Sequence, residues 1–273
     1  MIREVETLMF LAPVKLCSLL LVAAVCSATL GLSRAHAFDV QSDVSKDAGR
    51  FDLFRFGFKA YKDGDKDKAV EAYRYAAEKG HTGSRWALAN MYAYGDGVPE
   101  NDYEAFKIYL KLVNEDVEPG SPDTGFYVNA LMALAEYYET GIADTPVKKD
   151  LAQARQLYFQ AASVFGYPEA QYRLAKMILH GEGGPENVRL AKKWLNVARQ
   201  NGNIPAMAVF GNLIFNEGQP VLGLAYLTAA VSRCNPSDCA WIRDLQEKSF
   251  SVVDENDRRG AIALAQNMST GNH

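Results

Sequence analysis

The sequence predicts an all-α protein: an α/α solenoid of helix-turn-helix repeats with a C-terminal helical cap. Three observations support this prediction. Apolar residues recur at helical spacing, a glycine follows most of these segments, and equivalent residues recur at a fixed interval, as they do in solenoids. Trp194 lies 36 residues after Tyr158, and Gly202 lies 36 residues after Gly166. β-Branched residues are sparse and no alternating segment is bounded by turn residues, so the sequence favours no strand.

The N-terminal segment is expected to be a cleaved secretory signal peptide, residues 1–37. Lys15 precedes an apolar run over residues 16–32, and Ala35-His36-Ala37 forms an A-x-A cleavage site before Phe38. The alternative is a membrane anchor, but about 17 apolar residues stand at the lower limit for crossing a bilayer. We expect a mature chain in a bacterial periplasm, with no direct membrane insertion after signal cleavage.

The charge balance argues against nucleic acid as a partner. The chain carries 29 Lys and Arg residues against 33 Asp and Glu residues, a formal net charge of −4. The predicted signal peptide holds three basic and two acidic residues, so its removal leaves the mature chain more negative. Nucleic acids and anionic membranes both require concentrated positive charge. We therefore expect neither as a partner.

The mature chain would keep two cysteines, Cys234 and Cys239. In an oxidising compartment a pair this close most simply forms a disulfide, and free thiols are the alternative. The spacing excludes a C-x-x-C redox motif, and no His lies between Gly181 and Asn272 to complete a metal site. We expect a disulfide that closes a short loop.

The repeats are expected to occupy residues 51–232, after a linker at 38–50, and to comprise about five pairs of helices, A and B. Helix A ends in an aromatic or aliphatic residue with glycine three positions later, at Tyr61/Gly64, Tyr92/Gly95, Tyr138/Gly141 and Ile178/Gly181. Helix B carries an aromatic residue and an alanine four positions apart, on one helical face, at Tyr73/Ala77, Tyr158/Ala162, Trp194/Ala198 and Tyr226/Ala230. Glycine then ends helix B, where a positive φ is favoured, at Gly80, Gly166 and Gly202.

Small residues at fixed positions have a packing reason. Two helices approach closely where one presents Ala, and an aromatic side chain from the neighbour covers the gap. One such pair cannot bury its apolar face alone, so successive pairs must stack. We therefore expect repeat aromatics such as Tyr73 and Trp194 to be core residues rather than platforms for a ligand.

The repeats resemble the Sel1-like subclass of tetratricopeptide-type repeats. The segments "AVEAYRYAAEKG" from Ala69 and "LANMYAYGDGV" from Leu88 are close matches to its pattern, and complete repeats follow in the second half of the chain. The resemblance extends over roughly residues 54–230. The last unit departs from it, because Glu217 stands where glycine is expected and Gly218 comes one position late.

Other chemical motifs are weak. The Gly-Asp-Gly step at residues 95–97 has no strand before it and no G-K-[ST] after it, so it is predicted to be the turn between helices A and B rather than a phosphate loop. The acidic stretch from Asp63 lacks the glycine and terminal glutamate of a calcium-binding EF-hand, and a solvated turn that caps helix B is expected there. The histidines His81, His180 and His273 are too scattered for a metal site or a triad. No catalytic residue, cofactor or metal is predicted.

Two regions lie outside the repeat pattern. The acidic insert "NEDVEPGSPDTGF", residues 114–126, is interpreted as a mobile surface loop or, more sharply, as a protease-sensitive or partner-sensing segment. Beyond the repeats, residues 233–273 are expected to form the C-terminal cap. It would contain one helix over residues 237–250, with Ser237 as its N-cap, and an amphipathic segment over residues 258–268.

The whole layout resembles the periplasmic regulators of exopolysaccharide production of the ExoR type, a family of plant-associated α-proteobacteria. The shared layout is a cleaved signal peptide, degenerate Sel1-like repeats with an extra N-terminal unit, and a C-terminal cap. The resemblance implies a non-enzymatic negative regulator that binds the periplasmic sensing domain of a membrane histidine kinase. It also implies that the two-component pathway is kept off, which limits exopolysaccharide synthesis and permits motility. No partner-binding residue of the family can be matched by position, so none is assigned.

Two alternatives remain at this stage. The same fold would serve a periplasmic scaffold or chaperone for envelope polysaccharide export or assembly. An enzyme is the other alternative, but secreted Sel1-like proteins with such activities carry a cysteine pair in every repeat, whereas this mature chain has one pair. A periplasmic protease is a further candidate partner.

Overall fold

The structure is a computed structural model in which residues 46–115 and 117–270 are described. This part of the chain forms twelve α-helices and no strand, so the prediction of an all-α solenoid is confirmed. All twelve belong to one compact unit that begins at Gly49. The expected signal peptide and the cleavage site lie outside the described residues.

Ten helices form five consecutive A and B pairs, and two more follow. The pairs are α1 and α2, α3 and α4, α5 and α6, α7 and α8, and α9 and α10, and the helices have these bounds: α1 Arg50–Lys62, α2 Lys66–Glu78, α3 Thr82–Tyr94, α4 Asp102–Val113, α5 Thr124–Thr140, α6 Leu151–Ser163, α7 Pro168–His180, α8 Val188–Gln200, α9 Ile204–Asn216, α10 Pro220–Val231, α11 Cys239–Ser251 and α12 Glu255–Thr270. Each helix from α2 to α10 packs against the helix before it, as in a solenoid.

Helix B begins in the same manner in four of the pairs, because an Asp or Asn side chain caps it. The side-chain oxygen accepts the main-chain N–H three residues later, at distances of 3.2, 3.0, 3.0 and 2.9 Å for Asp65, Asn101, Asp150 and Asn187. Such a cap contributes about 1 kcal/mol by satisfying an N–H group that the helix itself leaves free. The cap also gives a reference position from which equivalent residues can be counted.

Counted from the cap, the buried positions of helix B are the same in every pair. The fourth residue is always small and fully buried, at Ala69, Ala105, Ala154, Ala191 and Gly223. The eighth residue is a large buried side chain, at Tyr73, Tyr109, Tyr158, Leu195 and Leu227. The neighbouring helices therefore meet at a small residue in each repeat, and a large side chain one turn further along fills the space beside it.

Trp194 packs against the core, as expected, but it is only partly buried and does not take the fully buried position of its repeat. Trp194 is the seventh residue after its cap, so Leu195 takes the fully buried position that Tyr158 occupies in α6. The same shift by one position leaves Tyr226 only partly buried, with Leu227 in the core beside it. A spacing of 36 residues therefore aligned residues that are one position apart when counted from their caps.

The turns between helices follow the predicted glycine positions. Gly80, Gly166 and Gly202 each have a positive φ after helix B. In the Gly-Asp-Gly step at residues 95–97 both glycines have a positive φ, of 64° and 80°. A helix precedes this step, so it is the turn between helices A and B, as predicted.

The first helix of the C-terminal cap begins later than the sequence suggested. Helix α11 starts at Cys239 with Asp238 in the N-cap position, and Ser237 instead donates its hydroxyl to Asn235 Oδ1 at 2.7 Å. The predicted N-cap at Ser237 is therefore wrong, because its side chain is used in the preceding turn. Both α11 and α12 pack against α10.

Candidate interaction surface

Among the described residues, no group of three or more His, Cys, Asp or Glu side chains is arranged so that it could hold a metal ion. None of the helices in this part of the chain is both long and apolar enough to cross a membrane. The acidic stretch from Asp63 is used locally: Asp65 caps α2, and the hydrogen bonds from Lys68 lower the pKa of its carboxyl group.

The Gly-Asp-Gly step joins two repeats. Asp96 accepts a hydrogen bond from the Tyr61 hydroxyl at 2.6 Å and one from Lys66 Nζ at 3.3 Å. Tyr61 and Lys66 lie at the end of α1 and the start of α2, in the preceding repeat. The carboxylate at the centre of the turn therefore holds repeats in register.

His81 is also structural. Its Nδ1 accepts the Ser84 main-chain N–H at 3.0 Å and so caps α3. The imidazole stacks on Phe54, with ring centroids 4.4 Å apart. Burial lowers the pKa of His81, and Arg50 acts in the same direction, while Asp123 opposes them. His180 is exposed at the end of α7, and His273 lies outside the described residues.

Helices A carry a row of polar contacts between repeats. Arg173 Nη2 lies 3.5 Å from Glu136 Oε1 of the preceding repeat, and its Nε lies 3.0 Å from Glu169. Glu169 in turn accepts a hydrogen bond from Asn203 Nδ2 at 2.9 Å, at the start of α9. Burial raises the pKa of Glu136, and the Arg173 guanidinium opposes that shift. The charges of this row are satisfied within the protein.

A groove of different character lies between helices B of two adjacent repeats. It measures about 460 Å³, and Leu174 and Ile178 of α7 line it between α6 and α8. Phe159 of α6 and Trp194 of α8 are aromatic walls of the groove and contact each other edge to face, with ring centroids 6.3 Å apart at 83°. Phe159 is 53% exposed, and Leu190, which also lines the groove, is 38% exposed. Water therefore contacts large apolar side chains here.

The groove has a basic border. Neither α6 nor α8 contains an Asp or Glu residue, whereas the two helices together carry Arg155, Arg189, Lys192, Lys193 and Arg199. Arg189 and Lys193 are exposed, and among the described residues no carboxylate forms an ion pair with either.

The other three cations are engaged. Arg155 Nη1 donates to the carbonyl oxygens of Glu182 and Pro185, at 3.3 and 3.4 Å. Lys192 pairs with Glu217 at 2.6 Å, and the Arg199 guanidinium lies over the ring of Tyr226 at 4.6 Å. The free positive charge at the border therefore comes from Arg189 and Lys193.

The groove was not predicted from the sequence. Trp194 was expected to be a core residue, and the apolar Leu190 at an exposed position was not recognised as a signal. A signal was present, because α8 combines four cations and no acidic residue with apolar side chains outside the core pattern.

The other residues singled out from the sequence lie apart from the groove. The Cα atoms of Cys234 and Cys239 are 5.2 Å apart, a separation that a disulfide spans. The disulfide stays a prediction. In the insert at 114–126, Glu115 pairs with Arg85 of α3, and Val117 packs against the core. Among the described residues of the insert, the exposed ones are Asn114, Glu118, Pro119, Gly120 and Pro122.

The helix pairs stack in one register, and small buried residues lie at a fixed distance from each cap. These features define the chain as a repeat protein of the Sel1 type. A family model described as Sel1 repeat matches residues 51–81, 84–116, 128–163 and 168–203. The fifth structural pair, α9 and α10, falls outside these matches.

Comparison with curated proteins gives relatives that match over almost their whole length. The exopolysaccharide production negative regulator of Rhizobium meliloti (strain 1021) is 65% identical over 238 residues, which cover 87% of this chain and 89% of that protein. The protein of the same name from Rhizobium leguminosarum bv. viciae is 64% identical over 236 residues, or 86% and 88% of the two chains. The chain therefore belongs to the family of exopolysaccharide production negative regulators.

A solved structure supports the fold alone. The crystal structure of a Sel1 repeat protein from Oxalobacter formigenes aligns with a TM-score of 0.59 at 22% identity, over 81% of this chain and 88% of that one.

Proposed function

We propose that this chain is a negative regulator of exopolysaccharide synthesis that acts by binding another protein rather than by catalysis. The observation that carries the proposal is the 65% identity to the Rhizobium meliloti regulator over 87% of this chain. The Sel1 repeats support the mode of action, since stacked helix pairs present extended surfaces that serve for binding.

In this proposal the partner is the periplasmic sensing domain of a membrane histidine kinase. The bound regulator keeps the two-component pathway off, which limits exopolysaccharide synthesis and permits motility. The pattern of residues 1–37 supports this location, because it has the charged start, apolar centre and A-x-A site of a secretory signal. A periplasmic protease that removes the regulator would release the pathway.

Deletion and complementation test the regulatory part of the proposal. Deleting the gene should raise exopolysaccharide production and reduce motility, and the full chain should restore both. A matched chain without residues 1–37 should fail to restore them, because it would stay in the cytoplasm. Unchanged exopolysaccharide in the deletion strain would refute negative regulation.

Co-purification tests the partner. The mature chain with an affinity tag is cross-linked in a periplasm-plus-membrane extract, and the recovered proteins are identified by mass spectrometry. A sensor histidine kinase should be enriched over a bait-free control. Recovery of polysaccharide export proteins in its place would contradict the proposed partner and would favour a scaffold for export.

A further inference from the structure

We propose that the groove between α6 and α8 is the docking site for an acidic segment of the partner protein. A large apolar side chain of that segment enters the groove beside the Phe159 and Trp194 rings, and flanking carboxylates pair with Arg189 and Lys193. The identity of the partner as a kinase sensing domain rests on the proposed function; the position of the site and the chemistry of its occupant rest on the groove itself.

The apolar lining of the groove favours insertion of an apolar side chain. Phe159 and Leu190 are 53% and 38% exposed, although exposed aromatic and aliphatic groups gain free energy when they leave water. The groove volume, about 460 Å³, lies within the range of roughly 300–1,000 Å³ that is usual for binding pockets. The site therefore has both the room and the driving force to take up a large apolar group.

The charges at the border favour an acidic occupant. On helix α8, Arg189 and Lys193 are one turn apart and directly precede Leu190 and Trp194, so the helix that forms one side of the groove carries both charges. Residues 148–200 hold nine Lys and Arg residues against four Asp and Glu residues. Residues 38–147 and 201–273 together hold 17 against 27. The groove therefore lies in a basic segment of an otherwise acidic mature chain, and a partner with carboxylates is complementary to it.

The lining favours a protein segment over a polysaccharide. The polar side chains in the lining are Arg155 and Gln156, and Arg155 already donates to two main-chain carbonyl oxygens. A sugar chain would require several hydrogen-bonding groups around its hydroxyls, whereas an apolar side chain requires none.

Binding of the purified sensing domain to the mature chain tests the proposal by biolayer interferometry. The groove variants are Phe159→Ala, which removes one wall, and Arg189→Glu with Lys193→Glu, which reverses the border charge. Matched controls are Val252→Ala, an apolar residue that is 72% exposed in the cap, and Lys59→Glu with Lys62→Glu on α1. Circular dichroism and thermal melting confirm that each variant is folded.

Each groove variant should weaken binding by tenfold or more, and each control should stay within twofold of the unmodified chain. Higher NaCl should weaken binding of the unmodified chain more than that of the charge-reversed variant, because salt screens the exposed charges. Equal affinity of the unmodified chain and both groove variants would overturn the docking site and leave the proposed function intact. If the unmodified chain does not bind the sensing domain, the proposed function is overturned, and so is the proposal that a segment of the kinase occupies the groove.

Two further measurements exclude other occupants. Sedimentation should show that the unmodified chain is not a dimer held together through the groove. A dimer that Phe159→Ala dissociates would place a second copy of the chain in the groove and overturn the proposal. Purified acidic exopolysaccharide should not displace the sensing domain. If the polysaccharide displaces the sensing domain from the unmodified chain but not from the charge-reversed variant, the groove binds polysaccharide and the proposal is overturned.

Discussion

Gly183 lies directly against the main chain of Leu151, the first residue of α6. A β-carbon at position 183 would overlap the Leu151 carbonyl group and stand 2.9 Å from the Ala152 nitrogen. Gly97 approaches Lys66, the first residue of α2, in the corresponding turn two repeat pairs earlier. The turn of one repeat therefore packs against the beginning of helix B in the preceding repeat.

Gly183→Ala should lower the free energy of unfolding by about 3 kcal/mol. The new methyl group meets main-chain atoms that cannot rotate away, and φ is +66°, a conformation that costs an L-residue roughly 1–2 kcal/mol. Urea unfolding measures the change. Gly202→Ala is the matched control, because φ is +89° there but no atom lies within 4 Å, so about 1 kcal/mol is expected. Equal losses in the two variants would refute the close approach.

Tyr73→Phe should leave the stability within about 0.5 kcal/mol of the unmodified chain or raise it, because a buried hydroxyl without a partner contributes nothing favourable. Tyr73 is 1% exposed, and no described residue forms a hydrogen bond with its hydroxyl. Tyr137→Phe provides the contrast. It removes a bond to the Asp102 carboxylate at 2.7 Å and should cost about 1.5–3 kcal/mol. A large loss on Tyr73→Phe in chemical denaturation would show that its hydroxyl has a partner.

The stability should fall as the pH drops below about 6.5, in part because of His81. Burial lowers the pKa of His81 in the folded chain, so the unfolded chain binds more protons as the pH falls. This contribution is fully present above the unfolded pKa and is lost as the pH falls through the folded pKa. His81→Asn keeps a side-chain acceptor for the Ser84 N–H but cannot titrate. Its unfolding free energy should fall less between pH 7.5 and pH 5.

His180→Asn is the control for that measurement, since it removes an exposed imidazole at the end of α7. It should retain the pH dependence of the unmodified chain. The same slope in the His81 and His180 variants would contradict the assignment to His81.

Limited proteolysis should first cut the mature chain within residues 114–126, where Glu118, Pro119 and Gly120 are exposed. Arg85→Ala should accelerate this cut several-fold, because Arg85 pairs with Glu115 and donates to the Ala77 carbonyl oxygen at 3.2 Å. Arg55→Ala on α1, which removes an exposed local ion pair with Asp52, should leave the rate unchanged. Mass spectrometry of proteinase K fragments locates the site. A first cut elsewhere would refute a protease-sensitive insert.

The predicted disulfide between Cys234 and Cys239 should leave no thiol for alkylation in the mature protein until a reductant is added. Intact mass spectrometry after iodoacetamide measures this. Cys234→Ser with Cys239→Ser should cost about 2 kcal/mol, the entropy of closing so short a loop in the unfolded chain. Two alkylated cysteines without reductant would show that the pair is free.

The fold could be predicted because the repeats carry redundant signals. Gly80, Gly166 and Gly202 marked the ends of helix B, and all three have the positive φ that their position requires. The register could not be taken from spacing alone. Gly202 comes two residues after the end of α8, whereas Gly166 comes three residues after the end of α6, so equal spacing from the two glycines displaced Trp194 from its true equivalent. Counting from Asp150 and Asn187 would have placed Leu195 in the core.

The groove could not be predicted, because it depends on which faces of two distant helices adjoin. Phe159 and Trp194 are 35 positions apart, on helices of different repeats, and nothing in the sequence pairs them. The fifth pair, α9 and α10, shows the repeat pattern only weakly in its sequence, for another reason. Helix α10 is covered by α9, α11 and α12, so it is apolar on most sides and loses the one-sided pattern that marks a repeat.

The two helices that cover α10 also determine how the array can change in length. Because α11 and α12 occupy the surface on which another helix A would stack, no unit can be appended at that end. A whole unit inserted or deleted further inside would leave the terminal helices and their contacts as they are. Relatives with longer or shorter arrays should therefore differ by internal units and share the same final segment.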